Sequence, residues 1–386
     1  MQTTSDQKIS EDRLALTRAK RIVVKVGSRV LMQDAGRLNT RRIRTLVRSI
    51  AGLKHSGKEV VFVTSGAIGA GMSALGLTHR PNQLPELQMA AAIGQSRLMT
   101  RYGRLFGLEN CLIGQVLLTH DDLKQRTRHL NARNTMMTML RTGIIPVVNE
   151  NDVVSVDEIR FGDNDLLASL VVHLVSADLL ILLTTTDGLR EFYASGHSRR
   201  IPVVPAITSE ITALARGKGG ELSSGGMITK LESARAVTRM GAMVVIADGR
   251  KVGVLEAIMA GHDTGTLILP TSNGVGENLN HRKRWIAFFH KPQGVLTIDD
   301  GACRAVARQH RSLLPIGVKA VTGEFPAGAA VDVRTTDQIL IARGLVSYSS
   351  HDLRRIMGQH SDALPDILGA AHYEEAIHRD NLVLLN

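Results

Sequence analysis

The sequence contains few aromatic residues and few cysteines. Aromatic side chains make up 3% of its 386 residues, and there are two cysteines, whereas glycines number 36. Cys111 and Cys303 lie far apart and form no C-x-x-C motif, which indicates neither a disulfide framework nor a zinc knuckle. We therefore expect a protein of a reducing compartment, the cytoplasm.

A long uninterrupted apolar run is also missing. The first ten residues are polar, so they lack the apolar core of a secretory signal. Residues 166–183 are the most apolar stretch, but Ser169, His173, Ser176 and Asp178 interrupt it. This pattern is typical of helix, turn and strand in a soluble protein rather than of a membrane span. We expect no membrane partner, and the length predicts two or three domains.

The net charge is +11, of which +9 falls in residues 1–280 and +2 in residues 281–386. A basic chain can bind nucleic acid, bind a polyanionic small molecule, or expose a solvated face. The basic residues between Arg13 and Arg48 are not interleaved with aromatic side chains, which favours the last two interpretations.

Strand-like and helical patterns alternate over the first 270 residues. The predicted strands are residues 21–26, 59–63, 112–118, 144–148 and 179–183, and the predicted helices are residues 40–53, 84–106, 123–140 and a helix that begins near residue 226. This alternation predicts a mostly parallel sheet covered by helices on both faces. Ligands bind at the carboxyl ends of the strands in such sheets. Lys25, Ser65 and residues 149–152 and 184–188 lie at such ends.

The central stretch, residues 147–165, carries two polar clusters. An apolar run stops at Asn149–Asp152, and a second cluster, Asp163–Asp165, precedes a helical pattern. Carboxylates receive an ammonium group, whereas amides and free backbone N–H groups receive a carboxylate. The pattern therefore suits a small zwitterion. Two ordinary turns are the alternative, because Asn, Asp and Gly are the usual turn residues.

Other segments indicate an anion. The sequence T-S-G-A-I-G-A-G (64–71) follows a strand, and S-S-G-G-M-I-T-K (223–230) begins a helix, so both offer backbone N–H groups. Neither is a G-x-G-x-x-G or Walker A sequence. Lys25 needs an anionic partner if its strand is buried; the alternative is an edge strand with Lys25 in solvent. His120 beside Asp121 and Asp122 is interpreted as a solvated loop rather than a metal site.

The pattern changes after residue 270. Residues 271–290 are predicted to be a linker, and residues 291–369 a small β-rich domain with short strands. The predicted strands are Val295–Ile298, Val318–Val321, Val331–Val333 and Ile339–Ala342. Residues 1–19 are predicted to be a tail before a domain of residues 20–270, and residues 370–386 a C-terminal segment.

Several strings in this order resemble the glutamate 5-kinases of the amino acid kinase family over residues 20–380. The strings are V-V-K-V-G-S (23–28), V-T-S-G-A-I (63–68), A-A-I-G-Q-S-R-L (91–98), L-N-A-R (130–133), V-N-E-N-D (148–152), F-G-D-N-D (161–165), G-G-M-I-T-K (225–230) and R-K-R-W (282–285). S-L-L-P-I-G-V (312–318), with Gly323, Phe325 and Gly328, resembles a PUA domain. The resemblance implies an α/β amino acid kinase fold, with a mostly parallel sheet between helix layers, followed by a small β-rich PUA domain.

The resemblance also implies a reaction, in which the γ-phosphoryl of ATP, with Mg²⁺, passes to the γ-carboxylate of L-glutamate. The product is L-glutamyl 5-phosphate, and the reaction is the first step of proline biosynthesis. Lys25, Lys230 and Asp165 would act in catalysis, and Ser65, Asp152 and Asn164 would bind glutamate. The residues implied to contact ATP are Lys25, Thr184, Thr185, Ser224, Gly225, Gly226, Met227, Ile228, Thr229 and Lys230. No metal ligand is implied. A homo-dimer or homo-tetramer and feedback inhibition by proline are common in the family.

Two departures from the family pattern concern the nucleotide. The family usually has Thr-Asp where this chain has Thr184-Thr185, and Asp187 is a candidate for part of the missing acid's role. Residues 190–194 lack the family's Tyr-x-x-(Asp/Asn)-Pro, and Ser224 replaces the more usual Thr.

Other functions stay open at this point. Sister kinases act on N-acetylglutamate, aspartate, carbamate or a nucleoside monophosphate, but they usually lack the PUA-like tail. An RNA-binding protein acting through that tail is the rival of another class, and the charge of +2 there argues against it.

Overall fold

The structure, a computed structural model, describes residues 4–33, 38–154, 164–193, 197–215, 226–271, 283, 286, 292–369 and 373–385. The chain divides into two compact units, Met1–Ser272 and Asn273–Asn386. Among the described residues, no helix is both long and apolar enough to cross a bilayer.

The first unit is built on an eight-stranded sheet in the order β3-β4-β2-β1-β5-β9-β10-β8. Its strands are β1 (Arg21–Val26), β2 (Glu59–Val63), β3 (Ile113–Leu118), β4 (Ile145–Glu150), β5 (Leu179–Thr184), β8 (Val203–Val204), β9 (Met243–Asp248) and β10 (Thr266–Ile268). Strands β3 to β9 in this order pair in parallel, and β10 is antiparallel to β9. A separate hairpin pairs β6 (Arg190–Phe192) with β7 (Ser198–Arg200).

Helices accompany these strands. They are α1 (Thr4–Thr17), α2 (Ser28–Leu31), α3 (Thr40–His55), α4 (Ala67–Leu75), α5 (Leu84–Leu108), α6 (His120–Lys124), α7 (Arg126–Arg141), α8 (Asn164–Val175), α9 (Ser209–Leu214), α10 (Met227–Thr238) and α11 (Val254–Met259). The Asn39 side chain caps α3 by accepting a hydrogen bond from the backbone N–H of Arg42, as its sequence predicts. The apolar stripe of α3 is buried in the core of the unit.

The order of the strands places a topological switch point at β1. From β1 the chain continues to β2 on one side, whereas β5 pairs with β1 on the other. The connections that follow β1 and β5 run toward opposite edges of the sheet, so a crevice opens at the carboxyl ends of these two strands. Because β1 lies inside the sheet, the interpretation of residues 21–26 as an edge strand is wrong.

The structure also corrects the expectation that residues 1–19 are a tail. Residues 4–17 form α1, and Leu16 is fully buried in the core of the unit. Arg13 is 1% exposed and donates to the carbonyl oxygens of Pro202, His262, Thr264 and Gly265 at 2.8–3.0 Å. It also pairs with Asp263 at 3.0 Å. A buried arginine that meets several acceptors holds the helix in place.

The second unit has its own core around a five-stranded sheet in the order β12-β11-β13-β14-β15. The strands are β11 (Gly294–Ile298), β12 (Val318–Thr322), β13 (Ala330–Thr335), β14 (Leu340–Leu345) and β15 (Leu382–Leu384), and the helices are α12 (Asp300–Ala307), α13 (Ser350–Ile356) and α14 (Leu364–Leu368). Residues 370–386, predicted as a separate segment, supply β15, and Ile377 is buried in the same core. The linker prediction for residues 271–290 lies mostly outside the described residues.

Candidate active site

A lysine on the central strand marks the crevice. Lys25 lies near the carboxyl end of β1, paired in register with Val63 of β2 and Leu182 of β5. The residue is 6% exposed, and its Nζ donates to Asp165 Oδ1 at 2.5 Å. A buried ammonium group on a central strand is tolerated because this carboxylate meets it.

Asp165 joins two lysines that are distant in sequence. Its second oxygen, Oδ2, accepts a hydrogen bond from Lys230 Nζ at 2.9 Å. The carboxylate is fully buried, and burial by itself raises the pKa of Asp165. The charges and hydrogen bonds of Lys25 and Lys230 act in the opposite direction and hold this pKa below its ordinary value. The cluster of Lys25, Asp165 and Lys230 therefore combines two positive charges with one negative charge.

The helix α10 presents Lys230 in its first turn. Gly226 is the N-cap residue of this helix, and its carbonyl accepts a hydrogen bond from Thr229 Oγ1 at 2.8 Å. The first backbone N–H groups of a helix have no partner within it, so they can receive phosphate oxygens beside the lysine. Met227, Ile228 and Thr229 belong to this first turn, whereas Ser224 and Gly225 lie outside the described residues.

Asn164, at the start of α8, connects three segments of the crevice. Its Nδ2 lies 2.7 Å from the carbonyl oxygen of Thr64, 3.0 Å from Ser65 Oγ and 2.9 Å from Asn149 Oδ1. Ser65 follows β2 and Asn149 lies on β4, so the side chains at these strand ends meet as expected. Asn149 Nδ2 continues the row by donating to Gln95 Oε1 of α5 at 2.7 Å.

The loop after β2 is held in place from several sides. Gly66 has a φ of 99° and begins α4 in the left-handed region, where a side chain would strain the backbone. The Thr64 hydroxyl lies 2.7 Å from the Tyr102 hydroxyl of α5, and Tyr102 is fully buried. Burial raises the pKa of Tyr102, so its hydroxyl stays neutral. Ser65 is thus fixed beside Asn164.

The residues after β5 lie next to an arginine that the sequence did not single out. Arg250, after β9, donates to the carbonyl oxygen of Thr185 at 2.8 Å and to both oxygens of Asp248 at 2.8–2.9 Å. The carbonyl of Thr184 accepts from the backbone N–H of Gly249 at 2.9 Å. These contacts join the ends of β5 and β9, which is where we expected the nucleotide.

Asp187 forms an ion pair with a nearby arginine. Its two oxygens both accept from Arg190 Nη1 at 2.8 Å. Arg190 begins β6 in the segment that departs from the family pattern. Asp187, the candidate for part of the missing acid's role, is therefore paired with Arg190, which belongs to the segment that departs from the family pattern.

The remaining features are a candidate metal site and Asp152, the candidate partner of a substrate ammonium group. The described residues contain no group of three or more His, Cys, Asp or Glu side chains that could hold a metal ion. Asp152 lies in the turn after β4 and is half-buried. His120, Asp121 and Asp122 belong to the short helix α6, where Thr119 and Asp122 form a capping box.

Comparisons with known proteins identify the family of this chain. A sequence profile of the amino acid kinase family matches residues 20–248. The chain belongs to the amino acid kinase family. A profile of the PUA domain matches residues 294–368, so this amino acid kinase carries a C-terminal PUA domain.

Relatives of this amino acid kinase extend over nearly the whole chain. The glutamate 5-kinase of Moorella thermoacetica is 46% identical over 97% of this chain and 99% of that protein. The glutamate 5-kinase of Geobacter sulfurreducens is 45% identical over 96% of this chain and 99% of its own length. The resemblance inferred from the sequence is confirmed. A carbamate kinase from Giardia lamblia, solved with AMP-PNP, is 19% identical over 66% of this chain and 99% of its own, with a TM-score of 0.47.

The structure brings together more residues than the sequence reasoning named. Lys25, Asp165 and Lys230 form one cluster, and Ser65 and Asn164 form another that is joined to it through the backbone. Asn149 belongs to the polar cluster Asn149–Asp152, and an amide at the end of an apolar strand has to find a partner when buried. Gln95 belongs to A-A-I-G-Q-S-R-L, and nothing in the sequence around it indicates its place in the site.

Proposed function

We propose that the chain is an ATP-dependent glutamate 5-kinase, which transfers the γ-phosphoryl group of ATP to the γ-carboxylate of L-glutamate. The cluster of Lys25, Asp165 and Lys230 beside Asn164 and Ser65 is the observation that carries the proposal. It combines cationic groups for a transferring phosphoryl with polar groups for a small substrate, and the relatives with this name cover the same length of chain.

The reaction requires positive charge near the transferring phosphoryl group rather than a general base. A carboxylate is already a nucleophile at neutral pH, so no side chain has to remove a proton from it. The difficulty is to bring two anions together and to stabilise the charge that spreads over the moving phosphoryl. In the proposed mechanism, Lys25 lies between the γ-carboxylate and the γ-phosphate, and Lys230 binds the phosphoryl oxygens.

Asp165 positions the two lysines. Without a shared carboxylate their like charges would repel each other, and each side chain would have several rotamers to choose from. Asp165 itself accepts no proton in this scheme, because the low pKa that the lysines impose keeps it ionised.

Ser65, Asn164 and Asp152 are assigned to glutamate. Ser65 Oγ accepts from Asn164, so its own proton is free to be donated to a substrate oxygen. Asp152 would receive the ammonium group, as a carboxylate close to the end of β4. Aspartate is shorter by one methylene, so its reacting carboxylate would fall short of the lysines when the ammonium group is held.

The nucleotide is assigned to the carboxyl end of β5 and the N-terminus of α10. Thr184 and Thr185 would contact it on one side, and residues 224–230 would contact its phosphates. Mg²⁺ would accompany ATP as the metal–nucleotide complex and neutralise part of the triphosphate charge.

The proposal of a cytoplasmic location rests on the low cysteine content of the sequence. A homo-dimer or homo-tetramer, proline as a feedback inhibitor and the place in proline biosynthesis rest on the resemblance. A sister kinase acting on N-acetylglutamate or aspartate is the competing function that shares the same cluster of lysines.

The test is an ATP-dependent hydroxamate assay, in which hydroxylamine traps an acyl phosphate. The purified chain would be supplied with Mg²⁺, ATP and one of glutamate, aspartate or N-acetylglutamate. Hydroxamate from glutamate alone is the expected result. Product only from another acid would assign the chain to a sister kinase. No product from folded protein would contradict the proposal, and salt-dependent RNA binding would then be measured for the PUA domain.

A further inference from the structure

A row of three side-chain amides leads away from the lysine cluster. It begins at Asn164, which adjoins Asp165 in the chain, and continues through Asn149 to Gln95. Asn149 is 2% exposed and Asn164 is 8% exposed, so both amides depend on each other and on the backbone for partners.

The direction of every amide in this row follows from one backbone carbonyl. The oxygen of Thr64 can only accept, so the atom of Asn164 that lies 2.7 Å from it is the nitrogen. The same nitrogen lies 2.9 Å from Asn149, which must therefore present its oxygen there. Asn149 then presents its nitrogen to Gln95 at 2.7 Å, and Gln95 accepts through Oε1.

The row ends on an unused donor. Gln95 Nε2 is buried, and it has no hydrogen-bond partner within the part of the chain that the structure describes. The residue as a whole is half-buried, so part of its side chain is exposed although Nε2 itself is covered. A buried N–H donor without an acceptor is rare in folded proteins and indicates a missing ligand or water.

The position of Gln95 is set by close helix packing. A Cβ atom on Gly94 would lie 1.7 Å from the carbonyl oxygen of Ala67, and one on Gly71 would lie 1.7 Å from that of Ala90. Glycine therefore allows α4 and α5 to touch through their backbones. Gln95 follows Gly94 at this contact, and its Oε1 accepts a hydrogen bond from Asn149.

We infer that Gln95 Nε2 donates a hydrogen bond to the α-carboxylate of the amino acid substrate, and that Gln95 thereby selects substrates with a free α-carboxylate. The inference rests on the proposed function. The reacting carboxylate needs the lysines at the Asn164 end of the row, so the other carboxylate of the substrate faces the Gln95 end. Gln95 acts in substrate recognition and takes no part in the transfer step.

The decisive variant is Gln95→Glu, which keeps an oxygen acceptor for Asn149 but replaces the Nε2 donor with a carboxylate oxygen. The hydroxamate assay would compare L-glutamate with its α-amide, which keeps the ammonium group and the γ-carboxylate. With glutamate, we expect KM to rise about 10- to 100-fold with kcat nearly unchanged, because a hydrogen bond to a charged group is replaced by repulsion. With the α-amide, whose N–H groups can donate to Glu, we expect KM to fall, so the preference reverses.

Controls separate a binding role from a structural one. Gln83→Glu adds the same charge at an exposed position before the same helix and should leave both KM values unchanged. Thermal unfolding without substrate reports whether Gln95→Glu is folded. If it is not, Gln95→Met serves instead, and the preference for glutamate over the α-amide should fall by about 10-fold.

Three outcomes contradict the inference. Equal losses with both substrates would mean that Gln95 only supports the fold of the site, and unchanged KM values would mean that it contacts neither. In both cases, product from the wild-type enzyme leaves the proposed function intact. No product from the wild-type enzyme with glutamate would overturn the proposed function and this inference together.

Discussion

Asp165 is fully buried, yet each of its carboxylate oxygens accepts a hydrogen bond from a different lysine. The three residues come from a central strand and from the first turns of two helices. Their mutual attraction offsets the cost of burying each charge, so removing one member removes part of that compensation from the others. Two predictions follow from this arrangement, one for catalysis and one for stability.

Replacement of Lys230 by alanine should lower kcat by about 10²–10³, because a preorganised charge on the transferring phosphoryl is lost. The KM for glutamate should change little, since Lys230 is assigned to the phosphoryl and not to the amino acid. Lys54→Ala, in the last turn of α3, is a control for loss of a lysine from the same unit. Steady-state hydroxamate kinetics measure both parameters. A loss confined to KM would refute the role given to Lys230.

Asp165→Asn should destabilise the protein by about 3–5 kcal/mol near neutral pH, since it removes the carboxylate that pairs with two buried ammonium groups. The pKa of Asp165 is lowered on folding, so its contribution is complete above the unfolded value of about 3.9. The contribution is lost as the pH falls through the folded pKa. Urea unfolding of both proteins between pH 3 and 7 should show a constant difference above about pH 5 that narrows only in acid. A difference that disappears between pH 7 and 5 would contradict the lowered pKa.

Single residues differ in how well the sequence predicted them. Lys25 could be found because a charged residue in an apolar strand needs a partner, and the structure supplies Asp165. Gln95 could not be found, because an amide on a helix is ordinary until its neighbours are known. Arg250 was likewise hidden, since its partners at residues 185 and 248 meet only in the folded sheet.

At the scale of elements, the helices α4 and α5 come closer than side chains would allow. Gly94→Ala should push these helices apart and lower stability by about 1–3 kcal/mol. It should also raise the KM for glutamate, because Ser65 and Gln95 are carried by this pair. Gly103→Ala in α5 is the matched control, since a Cβ there meets nothing within 4 Å. Urea unfolding should find the control unchanged or stabilised by up to about 1 kcal/mol. Equal behaviour of the two variants would contradict close packing as the reason for Gly94.

The regular elements near the site were predictable because their patterns are local. The strands β1, β2 and β5 were placed within one residue by their β-branched, apolar runs. The strands β9 and β10 and the helix α1 were not predicted. In α1 the apolar positions are few, and its place depends on Arg13, whose acceptors lie 189 to 252 residues away. Contacts at that separation leave no periodic signal in the sequence.

At the scale of the whole molecule, each of the two units has its own apolar core. All described site residues lie in the unit Met1–Ser272. A chain that ends after Ser272 should therefore fold and retain hydroxamate formation within about threefold of the full chain, because the first unit has its own apolar core and holds the described site residues. Circular dichroism and the hydroxamate assay would test this. A folded but inactive fragment would show that the PUA unit takes part in catalysis.

The attachment of α1 also has a consequence for the order in which the protein is made. Arg13 leaves the ribosome early, but the carbonyl groups that it binds belong to residues 202–265. At about 5–20 residues per second, roughly 10 to 50 seconds pass between the synthesis of Arg13 and that of Gly265, the last of its partners. During that time α1 lacks these contacts, and Leu16, which is fully buried in the folded unit, is exposed to chaperones. The helix α1 is therefore translated before its partners but docks onto the kinase unit only after they have been synthesised.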